Sequence, residues 1–484
     1  MTSIKQLGVR RARQMRNSPP TMHGATLTRA TTAAAMLAFT LWASAAEPAL
    51  PPPTSGGPIG AQLTDPRDLT PLGGRLVFAA YHPTFSHALW SVSRATGTVE
   101  QLGALRPGFR GAFPSGLVRL GDTVYFTMND GNSGPELWAS DGTAANTRLV
   151  ADIFPGDEGS NPSGLTVFDG RLYFSAKSRS EAPRLWSSRG DMASTVAVAN
   201  AATLGNPRQF TVVGGRLFFT ATDPRYGDEL WVIDRTSASP RLLRDIRRGP
   251  EDSGVGQLTA VGNTLFFVAN DGVHGPELWK TDGTTDGTTL VKDIRPGSAG
   301  ARPTYLTASG DWLLFAADDG SHGNELWKSN GTETALVMDV RPGKDGSGIA
   351  YLTTAGPWTY FTATNGRDGL ELWKSDGSAA GTSLVIDLLP GPAGSLPNHL
   401  TRIGDRLYFS AVEGDRQQQP WRSDGTAAGT QRIGSTDAIG LPYPSQFTTF
   451  GDAVVFTARD AAGKERLWLL DAAGTVSRLG LAQP

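Results

Sequence analysis

Nine times along the chain a phenylalanine stands twelve residues before a tryptophan: Phe78 and Trp90, Phe126 and Trp138, Phe174 and Trp186, Phe219 and Trp231, Phe267 and Trp279, Phe315 and Trp327, Phe361 and Trp373, Phe409 and Trp421, Phe456 and Trp468. That interval never changes. Successive tryptophans are 48, 48, 45, 48, 48, 46, 48 and 47 residues apart, so all variation in length falls between one Trp and the next Phe. A segment that admits no insertion reads as one rigid hairpin, and the remainder as adjustable loop. A repeat of this length matches the four-stranded blades of a propeller.

Four strands are legible within a unit. In the fifth they run over 257–261, 264–269, 277–280 and 289–294, all rich in β-branched and aromatic residues. The first two are joined by two residues that include a glycine, from Gly73-Gly74 through Gly356-Pro357 to Gly451-Asp452, which predicts tight hairpin turns; Gly356-Pro357 suits type II′. Neighbouring apolar residues such as Leu278 and Trp279 point to opposite faces of a strand, so both faces of each sheet must be covered. Stacking the sheets face to face in a ring covers them. The expected fold is therefore all-β, a single β-propeller of nine four-stranded blades over residues 61–484. Nine exceeds the usual four to eight, and an open solenoid or two smaller arrays are the other arrangements the period allows. No swapped strand is visible at the ends, so closure would rest on contact between the faces of the terminal units.

Composition closes several classes of function. There is no cysteine among the 484 residues, which excludes disulfides, thiol catalysis, Cys-ligated zinc and iron–sulfur clusters. Residues 1–45 hold Lys5, Arg10, Arg11, Arg13, Arg16 and Arg29 with no acid, then an apolar run from Thr31 to Ala45 ending in Ala43-Ser44-Ala45. This pattern predicts a cleaved signal peptide, with Met1 or Met22 as its start, and an exported protein that is secreted or displayed at the cell surface. Residues 46–60 are a Pro/Gly-rich linker. Removing 1–45 lowers Lys+Arg from 44 to 38 against 46 acidic residues, moving the net charge from −2 to −8. Nucleic acid is then not an expected partner, and no membrane span remains.

The run Glu277-Leu278-Trp279-Lys280-Thr281-Asp282-Gly283-Thr284 returns as Glu136 to Thr143 and, with a final serine, as Glu371 to Ser378. In this pattern the chain resembles the ELWxxDGT repeat proteins over about residues 61–484. The resemblance implies secreted bacterial proteins of propeller type and supplies no catalytic residue. The Asp-Gly-Thr turn is also distantly similar to the Asp-box turns of sialidase-type propellers, which are structural and lie away from the active site. Gln419-Pro420-Trp421 departs from the pattern, and Arg189 and Ser93 replace its Asp.

Repetition bears on which residues could do chemistry. Phe126, Trp138, Phe267, Trp279, Phe361 and Trp373 recur at fixed register, as core residues do. Asp141, Asp282 and Asp376, three residues after their tryptophans, suit Asx turns, since Asn330 stands in once. Glu136, Glu229, Glu277, Glu325 and Glu371 lie two residues before the Trp, and pairing with Lys/Arg or with loop N–H groups at blade junctions is expected of them. His274 and His322 read as solvated loop histidines. Calcium is the one cofactor considered, since the loops opened by Asp130-Gly131 and Asp271-Gly272 carry oxygens, though too few for the ion alone. The sequence shows no HExxH motif, nucleophile elbow or phosphate loop. The expected function is a non-catalytic, monomeric scaffold binding glycan or protein partners. The alternative is a sialidase- or lyase-like carbohydrate-active propeller whose site comes from non-repeated loop residues.

Overall fold

The computed structural model describes residues 59–103, 111–178, 182–414, 417–434 and 440–479. The expected signal segment 1–45 and most of the linker lie outside them. A short helix, Ile59–Gln62, is followed by nine four-stranded antiparallel sheets, each built from four strands consecutive in the chain. In the fifth blade the strands are Gly256–Val261, Thr264–Asn270, Pro276–Thr281 and Thr289–Lys292. The first strand of each blade touches the first strands of both neighbours, the ninth against the first. The protein is a nine-bladed β-propeller with these first strands around its axis.

The constant interval has a direct cause. In all nine blades the Phe of the second strand is the cross-strand partner of the Trp of the third, from Phe78 opposite Trp90 to Phe456 opposite Trp468. Inserting one residue between them would turn one ring to the opposite face.

Nine apolar clusters hold the ring together, one at each junction between blades. At the fourth junction Leu230 and Val232 of one blade meet Phe267 and Trp279 of the next, while Leu278, on the other face of that strand, packs with Phe315 and Trp327 across the fifth. Each sheet is thus buried on both sides. The closing junction is built alike, with Phe78 and Trp90 against Phe450, Val455 and Leu467. No strand is exchanged there. Polar contacts reinforce it: Arg466 donates to the Leu63 carbonyl, Arg478 to that of Ala61 at 2.8 Å, and Arg94 pairs with Asp452.

Candidate functional site

The repeated residues serve the scaffold. Phe126, Phe267 and Phe361 are fully buried, and Trp138, Trp279 and Trp373 are 5–6% exposed. At the turn between third and outer strands, Asp282 Oδ1 accepts from the Thr284 N–H at 2.8 Å and its hydroxyl at 2.7 Å. Asp141 does the same with Thr143 (2.9 and 2.6 Å) and Asp376 with Ser378 (2.8 and 2.7 Å). These bonds hold the carboxyls below their usual range.

The repeated glutamates are buried clamps on backbone rather than partners of Lys or Arg. Glu136 accepts from the N–H groups of Ile153 (3.1 Å), Phe154 (3.0 Å) and Ser160 (2.7 Å), so one carboxylate binds both ends of the link to the next blade. A serine hydroxyl completes four of these clamps: Ser160 on Glu136 and Ser395 on Glu371 at 2.5 Å, Ser253 on Glu229 and Ser347 on Glu325 at 2.8 Å. The fifth has Ala301 in that place, and Glu277 Oε2 finds no partner among the described residues. Burial pushes these carboxyls up, to about 7 for Glu229 and Glu325, against the downward pull of the N–H groups. His274 and His322 are not simply solvated: each ring Nδ1 meets an aspartate of its own loop, Asp271 at 2.7 Å and Asp319 at 2.8 Å. Asp271 also takes the Val273 and His274 N–H groups, and Asp130 those of Asn132 and Ser133, so the two loops considered for calcium direct their carboxylates at themselves.

A different set of positions combines constant backbone with changing side chains. Each first strand carries a residue of left-handed backbone conformation where the ladder to the second strand is interrupted: Asp68, Gly116, Gly164, Gln209, Gln257, Tyr305, Tyr351, His399 and Gln446, with φ from 52° to 67°. Three residues earlier stands a second such position: Asp65, Phe113, Asn161, Asn206, Gly254, Arg302, Gly348, Leu396 and Tyr443. Together they hold 14 of the 17 non-glycine residues with positive φ among those described. Each costs roughly 1–3 kcal/mol, so the conformation persists only because its surroundings impose it.

Those surroundings are visible. The N–H groups of Asn161, Asn206, Arg302, Leu396 and Tyr443 donate at 2.9–3.0 Å to carbonyls at the start of the preceding blade's third strand. These outer residues form a rim, on which Phe113, Leu396 and Tyr443 are 42–47% exposed. Phe113 stacks on His87 at 4.8 Å between centroids, and the Arg459 guanidinium lies 4.5 Å from the Tyr443 centroid.

The inner residues line the central channel, none of them buried. Gln209 donates to the Val255 carbonyl of the next blade at 3.2 Å, Gln257 likewise to Pro303 at 3.4 Å, and Gln446 to Pro66 at 2.8 Å across the closing junction. Gln446 also accepts from the Asp68 N–H at 2.9 Å. The rings of Tyr305 and Tyr351, on adjacent blades, are 6.0 Å apart. Asp68 and His399 are exposed to the channel, yet surrounding protein desolvates both. That desolvation raises the Asp68 carboxyl, which Arg67 and the Gly116 N–H partly offset, and lowers the His399 imidazole. Sequence reasoning did not single out these positions. Their signal is a variable residue just before the Leu or Phe of each first strand, glycine in only two of nine units.

No family model matches the chain, and no curated protein does. Solved structures similar to it include a prolyl endopeptidase (13% identity, TM-score 0.41, 75% of this chain and 54% of that one) and puromycin hydrolase (15%, 0.40, 75% and 59%). The propeller domain of the Trilobed protease from Pyrococcus furiosus is another, at 12% identity and TM-score 0.36, over 68% of this chain and 99% of that one. The chain thus spans little more than half the length of the first two. Among the described residues no helix is long and apolar enough to cross a membrane.

Proposed function

We propose that the protein is an exported, non-catalytic scaffold that binds a glycan or protein partner at one mouth of its propeller, at the cell surface or outside the cell. The observation that carries this reading is the rim: nine positions share one strained backbone conformation while their side chains change from blade to blade. Residues kept for structure repeat in this chain, as the Phe–Trp pairs and clamp glutamates do; residues facing a ligand need not. Exposed Phe113 and Tyr443, each backed on one side by His87 or Arg459, supply rigid aromatic surface of the kind that anchors partners. Export rests on the basic and apolar pattern of residues 1–45. The monomeric scaffold uses no cofactor in this reading.

The test is a screen of the purified full chain on polysaccharides for both retention and turnover. Retention without turnover, weakened by Phe113→Asn and Tyr443→Asn, is expected; asparagine tolerates the left-handed conformation. Turnover abolished by a single carboxylate substitution would overturn the scaffold and establish the carbohydrate-active enzyme in its place.

A further inference from the structure

We infer that the central channel of this propeller holds a neutral oligosaccharide chain, its sugar rings against the Tyr305–Tyr351 arc and its hydroxyls toward His399 and Asp68. This rests on the partner-binding reading above and narrows it to one ligand class and one place.

Chemistry of the channel wall points to that class. Tyr305 and Tyr351 stand at the same position of consecutive blades, half-buried, with rings tilted 56° to one another. Together they present an apolar surface longer than one ring, edged by phenol hydroxyls, which suits the C–H faces and hydroxyl rims of successive sugars. His399 follows on the next blade. Desolvation keeps its imidazole neutral at pH 7, so it offers one donor and one acceptor, the pair a hydroxyl group requires.

Space lies across the channel. Four blades away round the ring, nearly opposite the tyrosines, the equivalent positions are Gly116 and Gly164; the wall is open at Gly116, while at Gly164 the Phe210 ring stands 3.0 Å from where a Cβ would lie. A Cβ added at Gly116 would meet nothing within 4 Å. Beside them Asp68 supplies a carboxylate, which accepts well from vicinal hydroxyls.

The same wall argues against other ligands. Asp68 is its one charged member, with the Arg67 guanidinium beside it, and no other inner position is cationic, so a phosphate, sulfate or uronate chain would meet no counter-charge along the tyrosine arc. Nor does an inner position carry an aliphatic side chain, which leaves an apolar peptide without an anchoring pocket.

The test measures binding of cellohexaose, xylohexaose, maltohexaose, laminarihexaose and chitohexaose to the full chain by titration calorimetry, with hexagalacturonate as the anionic control. At least one neutral hexasaccharide should bind and the control should not. Tyr305→Gln and Tyr351→Gln should each weaken binding by about tenfold or more. Gly116→Gln should do the same by filling the open stretch of wall. The two tyrosine variants should melt with the parent, because Gln209, Gln257 and Gln446 already occupy that conformation in equivalent blades, whereas Gly116→Gln should stay folded with a lower melting temperature, since a non-glycine residue there costs about 1–3 kcal/mol. The proposal is overturned if none of the five sugars binds, or if binding is unaffected by the three variants. Sugar binding that survives them but is lost in Phe113→Asn or Tyr443→Asn leaves the rim reading standing without the channel, whereas turnover of a sugar removes the scaffold reading itself.

Discussion

Replacing Ala301 by serine should stabilise the protein, an unusual outcome for a substitution at a position only 1% exposed. At four junctions a serine hydroxyl donates to the clamp glutamate at 2.5–2.8 Å, alongside backbone N–H bonds. At the fifth the Ala301 N–H donates to Glu277 Oε1 at 2.8 Å as its counterparts do, but Oε2 is left without a partner. The backbone is therefore already placed, and the missing atom is one oxygen. A hydrogen bond to a charged group contributes about 1.5–3 kcal/mol net, and the new hydroxyl loses little rotamer freedom on ordering, so Ala301→Ser should add about 1–2 kcal/mol. The reverse change, Ser347→Ala, should cost about 1–2 kcal/mol by removing one of the two donors to Glu325 Oε2, which keeps the Val340 N–H at 2.9 Å. Urea unfolding followed by tryptophan fluorescence reads both, as shifts in midpoint at constant slope. A neutral or destabilising Ala301→Ser beside a destabilising Ser347→Ala would refute the equivalence of the junctions on which the reasoning rests.

Other expectations follow from the clamps and turns. Burial raises Glu325 from its ordinary 4.5 to about 7, so between those values the folded protein keeps a proton that the unfolded chain has released. Its contribution is therefore full below pH 4.5 and lost as pH rises through 7, a decline of about 3 kcal/mol at ~1.4 kcal/mol per unit. Glu325→Gln should flatten the fall in unfolding free energy between pH 5 and pH 8, and an unchanged slope would count against it; Gln419 already fills this place in the eighth blade, accepting the Leu441 N–H at 3.0 Å. Gly287→Ala should destabilise by roughly 1–3 kcal/mol in the same unfolding assay, because its Cβ would fall 2.1 Å from Asp282 Oδ1 and displace the carboxylate that caps the turn. The melting temperature should be the same with calcium as with chelator, and a rise with calcium would establish a bound ion.

Much of the architecture was legible because it depends on one-dimensional quantities. Strands in the fifth blade fall within two residues of where composition places them, since β-branched runs and Gly-containing turns set them locally. The hairpin turns divide by backbone: Gly356 of Gly356-Pro357 has positive φ alone, as type II′ requires, whereas Asp169-Gly170 and Gly214-Gly215 have it at both positions, as in type I′. Glu136 and its equivalents were narrowed to two kinds of partner, and only the folded chain shows backbone N–H groups 17 to 24 residues ahead converging on one carboxylate. The left-handed positions could not be found by propensity, because tyrosine and glutamine, which fill five of the nine inner positions, carry no local preference for that conformation.

By itself the sequence determined a nine-fold array of four-stranded sheets, because a cross-strand pair of aromatic rings tolerates no change in the interval between them. Tertiary structure alone decided that the array closes as one ring without an exchanged strand, and that Asp68, Tyr305, Tyr351 and His399 share the wall of one channel. Those residues are brought together by the packing of blades far apart in the chain, and because the residue before the Leu or Phe of each first strand changes from blade to blade, its identity carries no repeating signal in the order of the amino acids.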